Sequence, residues 1–143
     1  MRGFLLIGFL FLHFFWACNE SDTDRGNTVT TSENDADAAR NFIRSVLDGK
    51  LNTARDMLVA DSLNLQLFDA YERIYRSRTS AEDKRGYRES SINIYAVRPL
   101  NDSTSVVSYS NSYKKRVDSL KVIRENGAWK VDLKYSLTPT PQK

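Results

Sequence analysis

Proton-transfer chemistry needs a carboxylate, a histidine or a tyrosine held in a desolvated place beside a partner. This chain of 143 residues has one histidine, His13, and it stands inside an apolar stretch near the N-terminus. Asp118 is the carboxylate that the residue pattern places best. Strand alternation sets it opposite Asn111 on the apolar face of a sheet, one pair beyond Tyr109 and Leu120. Burial there would raise its pKa toward that of a general base. On a wet rim beside the Lys114, Lys115 and Arg116 turn it would only meet cations, and no second acid or base accompanies it at partner spacing. The catalytic set therefore holds Asp118 or nothing. Seven tyrosines (Tyr71, Tyr75, Tyr87, Tyr95, Tyr109, Tyr113 and Tyr135) are many for this length. Tyr and Trp are rigid, amphipathic contact residues. Tyr71, Tyr109, Asn111, Asp118 and Trp129 are the candidates for lining a sugar or peptide pocket; the same tyrosines serve equally as core and sheet edge.

No cluster of His, Cys or carboxylates has metal-ligand spacing, and no glycine-rich loop could cradle a phosphate, so no cofactor is expected. Charge is unevenly split: residues 19–37 carry six acids and one base, a balance of −5, whereas residues 38–143 carry +7. Arg73, Arg76, Arg78, Lys84, Arg85 and Arg88 crowd one stretch. They suit anionic lipid headgroups, lipopolysaccharide or acidic glycans, or, with Glu72, Glu82, Asp83 and Glu89 interspersed, a solvated mixed face.

The N-terminal stretch supplies an address. Arg2 precedes an apolar run from Phe4 to Trp16 that ends at Ala17-Cys18, and Gly3 to Ala17 is too short for the ~20 residues of a transmembrane helix. Cys18 is the only cysteine, which rules out an internal disulfide. Phe15-Trp16-Ala17-Cys18 resembles the lipobox of bacterial lipoproteins, which implies cleavage after residue 17 and lipidation of Cys18. Buried acyl chains contribute ~0.8 kcal/mol per methylene, so two or three of them anchor a protein durably. Residues 18–35 then read as a flexible acidic tether, poor in apolar residues. Its Glu20, Asp22 and Asp24 resemble the acidic signal that sends some lipoproteins to the cell surface; solvating linker charge is the other explanation. The expected location is the cell envelope, lipid-anchored at the outer membrane, where nucleic acid is not an available partner.

Stepping along the remaining chain, Ala36, Ala39, Phe42, Ile43, Val46 and Leu47 recur at helical spacing, with Ser32 or Asp35 as cap and Asp48-Gly49 as stop. A short helix capped by Asn52 or Thr53 follows. A third, over about 62–76, is expected to bury Leu63, Leu67, Ala70, Tyr71 and Ile74. Ser80 to Asp83 opens a helical turn that stops near Gly86. Four strands complete the pattern. Asn126-Gly127 is a type I′ hairpin signal that sets Val122 opposite Val131, Leu120 opposite Leu133 and Lys121 opposite Asp132. A turn at Lys114-Lys115, or a four-residue loop from Tyr113 to Arg116, would set Val107 beside Val122 and Tyr109 beside Leu120. A tight turn at Asn101-Asp102 would set Ala96 beside Val107 and Ile94 beside Tyr109. Tyr95, Val97, Val106 and Ile123 are left on the outer face as a partner or homodimer surface. The fold class is α+β: three or four N-terminal helices packed on a curved four-stranded antiparallel meander over residues 36–137, with 138–143 a frayed tail.

Two stretches, Ala39 to Leu58 with its Asp48-Gly49-Lys50 corner and Asp118 to Asp132 with its Asn-Gly-Ala-Trp-Lys-Val segment, resemble small bacterial lipoprotein domains of the nuclear-transport-factor-2-like (cystatin-like cone) superfamily, including domains of unknown function. The resemblance implies a cone fold with Trp129 and Val131 in the core. It implies no single activity, since that fold hosts isomerases, dehydratases, binding modules and assembly domains. The expected role is lipid-anchored, non-enzymatic binding of a small ligand, glycan or envelope protein; the alternatives are a pocket enzyme using Asp118 and tyrosines, and an assembly domain pairing through the outer sheet face.

Overall fold

A computed structural model describes residues 32–137 (side chains through 135), so the expected leader, the lipidated Cys18, the acidic tether up to 31 and the tail from 138 lie outside the described residues. Four helices come first: α1 (Asp35–Leu47), α2 (Leu51–Asp56), α3 (Ser62–Arg78) and α4 (Ala81–Glu89). Four strands follow, β1 (Ile92–Asn101), β2 (Thr104–Asn111), β3 (Asp118–Glu125) and β4 (Ala128–Asp132), and a 3-10 turn (Leu133–Leu137) closes the described chain. The strands form one antiparallel meander in chain order. The architecture is α+β, with helices packed on the sheet as the residue pattern implies.

α1 starts at Asn34, whose side chain accepts from the Asp37 N–H; neither Ser32 nor Asp35 is the cap. Asp35 instead reaches the sheet, accepting from the Ser105 hydroxyl at 2.6 Å. The helix buries Ala38, Ala39, Phe42, Ile43 and Leu47 against Val107, Leu120, Val122 and Val131. It stops at Asp48-Gly49, where Gly49 takes φ +74 and lies so near Tyr75 that a Cβ would come within 2.6 Å of the phenol oxygen. α2 opens at Leu51 after Lys50, without the side-chain cap expected from Asn52 or Thr53.

α3 corrects a second expectation. Its buried residues are Asn64, Phe68 and Tyr75, whereas Leu63 and Ile74 are 47% and 53% exposed. The cause is polar. Asp61 caps the helix and also accepts from the Asn64 amide group, while Asn64 Oδ1 accepts from the Leu133 N–H at 2.7 Å. These bonds turn Asn64 inward and rotate the leucine stripe toward solvent. α4 continues through Gly86 to Glu89, because the missing Cβ lets the Tyr113 ring lie directly on the helix.

The sheet register holds at one hairpin and moves at the others. Asn126 (φ +50) and Gly127 (φ +82) make the turn that pairs Val122 with Val131 and Lys121 with Asp132. β4 ends there, so Leu133 enters the 3-10 turn and does not pair with Leu120. Between β2 and β3 the connection is six residues long, with Asn111 Oδ1 capping the Tyr113 and Lys114 N–H groups. Val107 therefore faces Leu120 and Tyr109 faces Asp118, two residues off the expected pairing. A two-residue shift preserves side-chain parity, so the apolar face survives intact. In β1 an irregularity at Tyr95 changes parity: Ile94 still pairs with Tyr109, but Val97, not Ala96, meets Val107. Val97 thus leaves the outer-face group in which the pattern had placed it. The free edge of β4 is covered by the segment after α2, through bonds from Val59 N–H to Val131 O and from Val131 N–H to Met57 O.

Candidate functional site

Aromatic side chains line up along α3. α3 sends Tyr71 and Tyr75 from successive turns, their rings 6.1 Å apart, and Phe68 stands one turn earlier at 5.9 Å from Tyr71. α4 contributes Tyr87 and β2 contributes Tyr109. Tyr71 keeps 37% of its surface exposed, and partial burial still pushes its phenol above the ordinary range, with the neighbouring phenols of Tyr75, Tyr87 and Tyr109 adding to the rise. Burial, with the Asp118 carboxylate nearby, pushes Tyr109 up to about 12. Both stay neutral hydroxyl donors at any physiological pH. Among the described residues the hydroxyls of Tyr71, Tyr75, Tyr87 and Tyr109 have no hydrogen-bond partner, and those of Tyr75, Tyr87 and Tyr109 are not sealed from solvent. The Lys84 ammonium lies 5.2 Å from the Tyr75 ring centre.

Two polar clamps hold α4 in place. The Arg44 guanidinium donates to the carbonyls of Ser90 (2.8 Å) and Tyr87 (3.1 Å), closing the C-terminus of α4 onto α1. Its Nε lies 2.9 Å from Asp48, close enough for charge attraction although the N–H is not aimed for a hydrogen bond. The second clamp joins α4 to the β2–β3 connection. Asp83 accepts from the Tyr113 hydroxyl and from Lys114 Nζ, both at 3.0 Å, and the Lys114 ammonium rests over the Tyr113 and Tyr87 rings. The Lys114, Ser80 and Tyr113 hydrogen bonds hold the Asp83 carboxyl below the usual carboxylate range. Beside this clamp lies an open depression of about 330 Å³, lined by Glu82, Arg85, Glu89 and Tyr113 among others.

The five pocket candidates from sequence do not form one group. Tyr71 and Tyr109 lie near enough for the Tyr109 phenol to act on that of Tyr71. Asp118 faces Tyr109 across the β2–β3 ladder, but its side chain is 45% exposed and takes Arg116 at 3.1 Å. Asn111 pairs with Ile92 and spends its carbonyl on the turn. Trp129 packs against the core opposite Arg124, near the β3–β4 turn and at the other end of the ladder from Asp118. Sequence reasoning missed Tyr75, Tyr87 and Lys84 as neighbours in this tyrosine group. The signal available was the four-residue spacing of Tyr71 and Tyr75, which puts both on one helix face.

The basic cluster divides by role. Arg76 pairs with Glu72 at 2.6 Å and Lys84 leans on Tyr75, while Arg73, Arg78, Arg85 and Arg88 are exposed. On the outer sheet face Tyr95 is exposed and meets Ser110 at 2.8 Å, Val106 is buried and Ile123 is half-buried. No helix among the described residues is long and apolar enough to cross a membrane. No protein-family model and no characterised protein matches this chain.

Proposed function

We propose that the protein is a lipid-anchored cell-envelope domain of the nuclear-transport-factor-2-like fold, and that the tyrosine group around Tyr71 binds an uncharged, hydroxyl-rich ligand such as a glycan. The observation behind this is the ring pair of Tyr71 and Tyr75, with the Tyr87 and Tyr109 phenols near enough to act on Tyr71 and none of the four hydroxyls bonded within the described residues. The exposed ring of Tyr71 suits the apolar face of a sugar, and the unbonded hydroxyls around it can exchange hydrogen bonds with the sugar's hydroxyls. Cys18 after the apolar leader supports the anchor. Titrating the chain with soluble cell-wall oligosaccharides, followed by tyrosine-ring NMR shifts, tests the ligand: shifts at Tyr71 and Tyr87 are expected, with the Tyr87 shift lost in Tyr71→Ala, and unmoved rings across the series would sink it. Labelled palmitate incorporation that disappears in Cys18→Ala tests the anchor.

A second reading, proton transfer by Asp118, rests on its pairing with Tyr109. It requires turnover of a ketosteroid-type or small dehydratase substrate that Asp118→Asn abolishes. The exposed ion pair with Arg116 favours the binding role for this end of the sheet.

A further inference from the structure

α3 has a second apolar face that the fold does not use. Leu63, Leu67, Ala70 and Ile74 follow one another at helical spacing down one side, with Leu63 and Ile74 about half exposed and Leu67 and Ala70 half-buried between them. Eleven residues at ~1.5 Å each make a stripe ~16 Å long. One exposed leucine is ordinary; four apolar residues in register on one helix face are a surface with an occupant. We propose that this stripe is a membrane-contact face that lays the domain against an anionic lipid surface. The proposal rests on the anchored reading above.

Charge selects lipid as the occupant. The acids of α3, Asp69 and Glu72, are taken up by Arg55 and Arg76. Arg73 and Arg78 are exposed and have no carboxylate partner among the described residues. At about 3.6 residues per turn these two arginines fall on opposite sides of the stripe, which is the layout of an in-plane interfacial helix. Size argues the same way. Four side chains cannot approach the ~800 Å² per partner of a stable protein interface, and a two-fold pairing of α3 would set the free arginines of two positively charged domains side by side. A lipid surface needs no such area, because an anchored domain meets it at high effective concentration. Reach is sufficient too, since the sixteen peptide steps from Cys18 to Asn34 can span up to ~55 Å. The leucines and Ile74 would sit at the headgroup–acyl boundary, with the guanidinium groups on phosphates.

The test uses the full chain lipidated at Cys18 and carrying Gln66→Cys, whose thiol beside the stripe takes a polarity-sensitive dye. It is placed in phosphatidylcholine vesicles with or without phosphatidylglycerol. The expected result is a blue shift, and quenching by lipid-borne nitroxide, in the anionic vesicles alone, both fading as salt rises. Arg73→Gln and Arg78→Gln should each weaken the contact about fivefold. Leu63→Ser with Ile74→Ser should abolish it while lowering the urea midpoint far less than Phe68→Ala does. A dye that stays in water in a chain proved to be lipidated overturns the docking and leaves the anchor standing. Failure to incorporate labelled palmitate overturns the anchor, and the Cys18→Ala, Gln66→Cys chain mixed with the same vesicles then decides the docking by the same shift. A blue shift that grows with protein concentration without anionic lipid would mean that a second copy covers the stripe, and would overturn the proposal.

Discussion

α1 and α3 are the two long helices of the domain, and different forces hold them. α1 lies on the sheet through Ala39, Phe42, Ile43 and Leu47, packed on Val107, Val122 and Val131. α3 touches that core through Phe68 and Tyr75, with the Phe42 and Phe68 rings 6.3 Å apart, and is otherwise tied by polar groups. Asn64 bonds the backbone of Leu133, Asp61 pairs with Lys134, and Arg55 clamps Asp69 and Glu72 while its guanidinium stacks 5.3 Å from the Phe68 ring. Dispersion and water exclusion, which do not titrate, supply most of the hold on α1, with Arg44 and Asp35 adding polar ties. α3 depends on hydrogen bonds and charge, and that leaves its apolar stripe free for something else.

The largest effect should come from the dry side of this comparison. Phe42→Ala removes a buried ring at the junction of α1, α3 and the sheet, and should cost about 3–5 kcal/mol in urea unfolding. A loss below about 1 kcal/mol would mean that α1 is not the principal cover of the sheet.

The same contrast explains what was legible in the sequence. α1 reads correctly because its apolar period and its burial have the same cause. So do the helices-then-meander order and the Asn126-Gly127 hairpin, where positive φ is required at both turn positions. α3 misleads because its best apolar stripe is not the buried one: Asn64, a polar residue at a core position, overrides the pattern through bonds to residues far along the chain. The β2–β3 register could not be read because Asn111 builds its own turn and lengthens the connection. The bulge at Tyr95 has no residue signature at all. Of the site, Tyr71 and Tyr109 were visible as residue types, whereas Tyr75 and Tyr87 join them only through the packing of α3 and α4.

The next effect, on the polar side, is smaller and more local. Asn64→Ala leaves the part-buried Leu133 N–H without its acceptor and should cost about 1–3 kcal/mol. Amide exchange should show α3 and the 3-10 turn losing protection while α1 keeps it. Uniform loss across both helices would show that α3 is not held separately.

Acid should separate the two helices further. The Lys134 hydrogen bond, with the Asn64 N–H, holds the Asp61 carboxyl down to about 2, and hydrogen bonds from Arg76 and Arg55 hold Glu72 below its ordinary range. Carboxylates depressed in the folded state contribute stability that is complete above their unfolded values of about 4 and is lost as pH falls through the folded ones. Between about pH 4 and pH 2, α3 should therefore lose protection before α1, whose apolar contacts do not titrate. Added salt at neutral pH should push weakly in the same direction.

The smallest expected effect is the sharpest test of the comparison. Leu63 and Ile74 carry the apolar period that would ordinarily mark a core, yet both are about half exposed. Changing both to Ser removes side chains that folding withdraws only about half from water, so each should cost about 1 kcal/mol or less. Phe68→Ala, from the face one helical step away, should cost several times more, about 3–5 kcal/mol. Equilibrium unfolding of the two variants in parallel measures the ratio directly. If Leu63→Ser with Ile74→Ser proved as costly as Phe68→Ala, the leucine stripe would be the buried face of α3. The polar anchoring of that helix and the lipid contact built on it would then both be wrong.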